Sequence, residues 1–333
     1  NEGFTFVDTL TLKISNVNEA PTDITLTSGS AAENSSGASF GTFSTTDPDL
    51  SDTFTYSITG GTDASSFEIG SSNSLKFKST VSANFETKSS YSVTITSTDA
   101  GSNAIAKPLT VNITNVNENP TDISLGWPQS VPENSSGASF GTFSTTDPDL
   151  SDTFTYSVTG GTDASSFEIG SSNHLKFKSG VAADFETQSE YTVILTTTDA
   201  GSKTYSKTFT VGIANANEAP SFTTSTISTM AENGTAVLTV AASDPENASL
   251  TYSLGSGNDT AKFSITSAGV LTFNRAPDFE IPSDLNENNV YLVTILVSDG
   301  TSSTTLVHYV TITDVTEAAG LETPDNVQTV ETK

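Results

Sequence analysis

A chain of 333 residues is too long for one ordinary core and suits two to four domains. With 12 Lys and Arg against 39 Asp and Glu, its net charge of -27 lacks the basic clusters that nucleic acid and anionic lipid require. Cysteine is absent, which removes disulfide scaffolds, thiol nucleophiles and thiolate metal sites, and no apolar run is long enough to span a membrane.

In chain order, residues 1–20 match the last strand and linker of a repeating unit, so the chain is expected to belong to a longer array. Pro21, Pro120 and Pro220 then open units of about 100 residues, expected at 21–120, 121–220 and 221–319. The stretch Glu133–Asp163 is nearly the same as Glu33–Asp63. The third unit is diverged but keeps Glu232-Asn233, Asp244-Pro245-Glu246, Asp278-Phe279-Glu280 and Asp299-Gly300. Residues 320–333 are expected to be a tail or the start of a next module.

Within the second unit, Phe154, Tyr156 and Val158 alternate with Thr and Ser. So do the rows Tyr191, Val193, Leu195 and Phe209, Val211, Ile213, the period of half-buried strands. Shorter apolar pieces at 140–143, 167–169 and 175–177 bring the count to about seven, with Gly160-Gly161 and Ala200-Gly201 as turns. Helical periodicity is missing. The fold expected is all-β: tandem seven-stranded Greek-key β-sandwiches in an elongated array, joined by short acidic linkers at 115–120 and 215–220.

The acids recur at strand ends. In the second unit these are Glu133, Asp147 and Asp149 in an Asp-Pro-Asp, Asp184 and Glu186 around Phe185, and Asp199. A Greek key segregates strand ends to two poles, which should put Glu133, Asp184 and Glu186 at the C-terminal pole and Asp147, Asp149 and Asp199 at the other. Calcium takes six to eight oxygens from such groups. A plain solvated, aggregation-resistant surface is the alternative, and it leaves the placement of the acids unexplained.

The ordered set Glu-Asn (Glu33, Glu133, Glu232), Asp-x-Asp or Asp-x-Glu (Asp47/Asp49, Asp147/Asp149, Asp244/Glu246), x-Phe-Glu (Glu86, Asp184/Glu186, Asp278/Glu280) and the Asn-rich, Pro-ended linkers resembles the cadherin repeat. In particular it resembles the cadherin-like modules found in tandem in bacterial surface and secreted adhesins. The resemblance implies calcium at each joint between repeats, one to three ions where the joint is complete. At the first joint Glu33, Glu86, Asn115, Asn117, Glu118 and Asn119 would face Asp147, Asp149 and Asp199. At the second, Glu133, Asp184, Glu186, Asn215, Asn217 and Glu218 would face Asp244, Glu246 and Asp299. Asn16, Asn18 and Glu19 would pair with Asp47, Asp49 and Asp99, and Glu232, Asp278, Glu280 and Asp314 would form a half site at the far end. Asn and Glu stand where the family has linker Asp, which implies fewer ions or weaker binding.

The function implied is a calcium-rigidified extracellular stalk or adhesin segment that spaces or presents other domains. The alternative has the repeats themselves adhere to like molecules, another cell surface or polysaccharide. An enzyme is not expected: Asp147 and Asp149 could be cast as a glycosidase pair, yet they recur in every unit with no aromatic cleft. Trp127 is expected to pack on the linker, with glycan stacking as the alternative, and His174 to lie on the surface near a turn. His308 is expected to be a hydrogen-bonded, partly buried residue. An insertion in the third unit, Ile281–Asn288, is expected to be a solvated loop, or a cation loop through Asp284, Asn286 and Asn288.

Overall fold

The structure is a computed structural model and describes residues 2–316, so the segment 320–333 lies outside the described residues. The chain divides into two units, Asn1–Trp127 with Gly141–Leu175 and Thr192–Phe209, and Pro128–Phe140 with Lys176–Tyr191 and Thr210–Lys333. Every described regular element is a strand or a single 3-10 turn. No helix among the described residues is long and apolar enough to cross a membrane.

The first sandwich contains β1 (Asp23–Leu26), β2 (Ser30–Ala32), β3 (Ser39–Thr46), β4 (Thr55–Gly60), β5 (Phe67–Gly70), β6 (Ser74–Phe77), β7 (Ser90–Thr98) and β8 (Ala104–Thr114). One sheet has the order β1-β3-β6-β5 and the other β2-β8-β7-β4. All pairings are antiparallel except β2 with β8, which run parallel. Eight segments appear where seven strands were expected, because the first strand breaks. Gly29, at φ +75, turns the chain between β1 in one sheet and β2 in the other.

Alternate residues of the long strands point inward. Val93, Ile95 and Val111 meet Ile24, Phe40, Leu75 and Phe77 with no exposure at all. Each such side chain contributes about 1.5–3 kcal/mol by leaving water. The rings of Phe40 and Phe77 meet edge to face, with centroids 4.9 Å apart. The Thr and Ser between them stay at the surface, apart from hydroxyl links such as Thr45 to Ser97 and to the Tyr56 hydroxyl.

The strand pattern recurs. Asp122–Leu125, Ser139–Thr146, His174–Phe177 and Phe167–Ile169 make one sheet; Ser130–Pro132, Thr204–Ala214, Glu190–Thr198 and Thr155–Gly160 make another. In the third unit Ile227–Ala231, Ser303–Thr313, Val290–Ser298 and Thr251–Leu254 form the larger sheet. The facing strands are fragmented into Ala236–Thr239, Val270–Phe273, Phe263–Ile265 and the short pair Ser221–Phe222 with Ala242–Ser243.

Two local expectations, on residues 2–20 and on Trp127, meet a different outcome, and two more, on His308 and the inserted loop, are refined. No strand forms in residues 2–20, whose alternating Phe4, Phe6, Leu10, Leu12 and Ile14 are exposed, because a strand exists only by pairing and none of the described strands pairs with it. Trp127 is 84 % exposed and does not pack on a linker; it sits in the turn between Asp122–Leu125 and Ser130–Pro132. His308 is fully buried, with Nε2 against Ser228 Oγ at 2.8 Å and Nδ1 against the Ser225 carbonyl at 2.9 Å, and burial lowers its pKa. Most of the inserted loop is exposed, as a solvated loop would be, with the Asp284 carboxylate turned inward. That carboxylate is buried and accepts the N–H groups of Asn288 and Asn289, while Asp259 holds the Leu285 N–H.

Candidate metal centre

The strand ends carry carboxylates where strands stop and linkers begin, so each joint can be built from its backbone. Glu33 follows β2 and is 2 % exposed. Its Oε2 accepts the Phe85 N–H at 2.8 Å and its Oε1 the Val116 N–H at 2.9 Å, tying the loop before β7 to the linker after β8. Glu133 repeats this with Phe185 and Ala216, and Glu232 with Phe279 and Val315. The glutamate of each Glu-Asn motif is therefore an internal clamp as well as a candidate ligand.

At the first joint, which lies wholly within one unit, Glu33, Glu86 and Glu118 bring one carboxylate oxygen each within 4.8 Å of one another. Asn34 donates to Glu118. The linker reaches the next sandwich through two bonds, Glu118 N–H to Asp149 Oδ2 at 2.7 Å and Asn117 Nδ2 to Asp199 Oδ2 at 3.0 Å. Gly201 is required beside that second bond, since a Cβ there would stand 2.3 Å from the Asn117 side chain. Asn115 and Asn119 are exposed. Desolvation raises the Glu86 pKa, and the charges of Glu33, Glu118 and Asp149 raise it further.

The same bonds recur at the N-terminal joint, where Asn16 and the Glu19 N–H meet Asp49 and Asn18 donates to Asp99. A second group recurs with them: Asp47, Asp49 and Asp52, and again Asp147, Asp149 and Asp152, each within 4.8 Å. Asp52 and Asp152 were not among the residues expected from sequence, because no Asp at that spacing belongs to the Asp-x-Asp pattern. Desolvation and the three neighbouring aspartates raise both their pKa values.

The second joint lies wholly within the other unit and is arranged differently. Glu246 reaches Glu133, Glu186 and Glu218, making one group of four. Asn134 donates to Glu218, Asn215 to Glu186 at 2.8 Å, and Asn217 to Asp299 at 2.9 Å. A hydrogen bond with Glu246, then desolvation, pushes the Glu218 pKa from 4.5 up to about 7. Asp184 accepts the Thr187 N–H and stands outside that group, as Asp244 does, accepting the Ala248 N–H. At the far end Glu232, Glu280 and Asp314 cluster, while Asp278 caps the Ile281 N–H.

The donor set fits a hard divalent cation. It is all oxygen, and both histidines lie elsewhere. Among the described residues, the buried side-chain oxygens without a hydrogen-bond partner are Asn289 Oδ1 and carboxylate oxygens of Asp47, Asp52, Glu86, Glu118, Asp147, Asp149, Asp152, Glu218 and Asp244. A buried, unpaired carboxylate oxygen is costly unless something positive meets it.

The cadherin domain profile matches residues 27–114 and 128–214. No curated protein matches by sequence. Among solved structures, mouse cadherin-23 EC22-24 superposes with a TM-score of 0.62 at 20% identity, covering 90% of this chain and 100% of that one. The EC3-6 cis-dimer of protocadherin gammaB7 gives 0.59 at 22%, covering 89% and 74%. The protocadherin gammaB4 extracellular domain gives 0.58 at 21%, the chain spanning 50% of its length. These structures show a shared fold, and the profile match covers more than half of the sequence. The chain belongs to the cadherin domain family.

Proposed function

We propose that the chain is a calcium-binding extracellular segment whose joints are stiffened by calcium and which spaces or presents other domains. The repeats in this proposal are 21–120, 121–220 and 221–319, with residues 1–20 completing a preceding joint. Cadherin repeats bind calcium between neighbours and serve adhesion or spacing, and the family's ectodomains are extracellular. The observation that carries the reading is the set of buried carboxylate oxygens without partners, which gather at the joints. Calcium would neutralise them there and draw linker, preceding repeat and following repeat onto one ion; without it they repel.

Small-angle scattering in calcium and then in chelator tests this. The maximum dimension and shape should change on chelation while far-UV dichroism keeps its β signal. Identical scattering in both states would overturn it.

A second reading, direct adhesion to polysaccharide, is favoured by Trp127, whose 84 % exposed ring offers a stacking face. A glycan array with and without calcium, repeated with Trp127→Ala, separates the two. Binding lost in the variant supports adhesion, and absence of binding supports a spacer.

A further inference from the structure

The third sandwich departs from the first on both sides of Phe279. Its backbone keeps two shared points. The Asn274 N–H donates to the Lys262 carbonyl as that of Lys78 does to Ser66, and the Asn233 N–H to Pro277 as that of Asn34 does to Ala83. Between these points the first sandwich has Ser79-Thr80-Val81-Ser82 and the third only Arg275-Ala276. Val81 packs against the core of the first sandwich, and the shortened stretch offers no side chain in its place. Beyond Phe279 the chain gains the loop Ile281–Asn288 instead. A cavity of about 350 Å³ lies here, floored by the buried Phe273 and Tyr291 and walled by Arg275–Asp278 and by Ile281 and Ser283 of the loop. The Ser283 N–H donates to the Tyr291 hydroxyl at 3.0 Å, which holds the loop against the floor.

Charge marks the cavity as well as shape. Arg275 is the only arginine in the chain, and Lys262 lines the same cavity. Among the described residues neither side chain forms an ion pair or a hydrogen bond, although the chain has 39 acids to 12 bases. Lys76, Lys88, Lys107 and Lys207, by contrast, each meet a carboxylate. Asp278 also lines the cavity. Its Oδ1 accepts the Ile281 N–H, and it stands outside the group of Glu232, Glu280 and Asp314. Two cations against one carboxylate leave a single positive charge, which balances one carboxylate of a ligand and not a phosphate dianion. The volume is at the small end of the roughly 300–1,000 Å³ of ligand pockets, enough for one ring.

We propose that this cavity binds one uronate unit, a sugar ring carrying a carboxylate, of an acidic polysaccharide. The forked guanidinium of Arg275 takes both carboxylate oxygens, and the Lys262 ammonium adds a second positive charge. Pro277 and Ile281 present apolar surface to the C–H face of the ring, and the second oxygen of Asp278 accepts a ring hydroxyl. The first sandwich has no such site: Ser79 stands in the stretch that holds Arg275, and the Lys88 ammonium lies 4.7 Å over the Tyr91 ring and pairs with Asp63. The chain therefore carries one site of this kind. The proposal deepens the adhesive reading above at a place other than Trp127, and it uses none of the acidic groups at the joints.

The experiment is calorimetric titration of the whole chain with trigalacturonate and with its methyl ester, in calcium and in chelator. The wild type should bind one trigalacturonate per chain, equally in both conditions. Affinity should fall about tenfold or more for the ester and for Arg275→Ala, in line with loss of charged hydrogen bonds. Arg275→Lys should fall between, since it keeps the charge and loses the fork. Arg275 is exposed, so its variants should keep the wild-type melting temperature; Lys262→Ala, which should weaken binding in the same direction, serves if they do not. Unchanged affinity in Arg275→Ala and Lys262→Ala would overturn the proposal. Binding lost in Trp127→Ala and kept in Arg275→Ala would overturn it while leaving the adhesive reading intact, and a wild type that binds no saccharide would overturn both. Binding that vanishes in chelator and ignores Arg275→Ala would place the uronate on calcium and count against the cavity. Inorganic phosphate bound more tightly than trigalacturonate would overturn the ligand class.

Discussion

The backbone N–H of Glu118 donates to Asp149 Oδ2 at 2.7 Å, one of the two bonds that tie the linker to the next sandwich, while Asp149 Oδ1 stays buried without a partner. One oxygen of the carboxylate is thus structural, and in the proposed function the other meets the cation. Asp149→Ala removes both. It should abolish most of the calcium-induced rise in melting temperature at this joint and leave the isolated strand signal in place. Ligand linkage sets the scale: calcium at about 100 times its dissociation constant stabilises by about 2.7 kcal/mol per site. Differential scanning calorimetry at matched calcium reads the difference; an undiminished calcium response in the variant would count against the assignment.

Glu33 behaves differently because its two oxygens already hold the Phe85 and Val116 N–H groups. Glu33→Ala strands two backbone donors in a site that is 2 % exposed. The cost should be about 2 kcal/mol or more, and it should appear in chelator as well as in calcium. Urea unfolding in chelator measures it. Equal midpoints for variant and wild type would show that Glu33 acts only through the ion.

How legible this was in the sequence depended on whether a feature is periodic or relational. Alternation at Tyr191, Val193 and Leu195 announces a strand, since the two faces of a strand see different solvents. Strand ends announce poles, and Glu133 does meet the linker at Ala216 while Asp149 meets the one at Glu118. Asp152 was missed because its place in the group depends on Ser151 adopting a left-handed turn, which composition does not encode. Asp284 has the alternate spacing of a cation loop, but that spacing does not show that both its oxygens accept backbone N–H groups within the loop. Residues 4–14 show the converse case: alternation broken only at Val7 and Asp8 yields no strand where none of the described strands pairs with it.

Gly201 sets the clearance for the linker. A Cβ would stand 2.3 Å from the Asn117 side chain, which must then swing away from Asp199. Gly201→Ala should leave the sandwich folded, because the side chain that yields is at the joint and not in the core. Calcium affinity at the first joint should fall on the order of tenfold, the equivalent of about 1.4 kcal/mol, in line with loss of one bond to a charged group. Gly300→Ala is the control. No atom lies within 4 Å of a Cβ there, so any cost comes from its φ of +100 and not from the linker. Calorimetric titration of both variants decides it: equal calcium affinities in Gly201→Ala and wild type would remove Asn117 from the joint.

The pH response should be concentrated at the second joint. Glu218 titrates near 4.5 when unfolded and at about 7 when folded, mainly through its hydrogen bond with Glu246. The folded, calcium-free joint therefore holds a proton that the unfolded chain releases between these values. Its stabilising effect is complete below pH 4.5 and disappears as pH rises through 7. Calcium competes with the same proton, so affinity at this joint should climb from pH 5.5 and level off somewhat above 7, with about one proton released per ion at the lower end. Calorimetry in buffers of different ionisation enthalpy counts that proton. Glu246→Ala removes the partner that raises the Glu218 pKa, so the proton count and the slope should both diminish. A slope that survives in Glu246→Ala would place the titrating group elsewhere, and a flat profile in the wild type would show that the two glutamates do not share a proton.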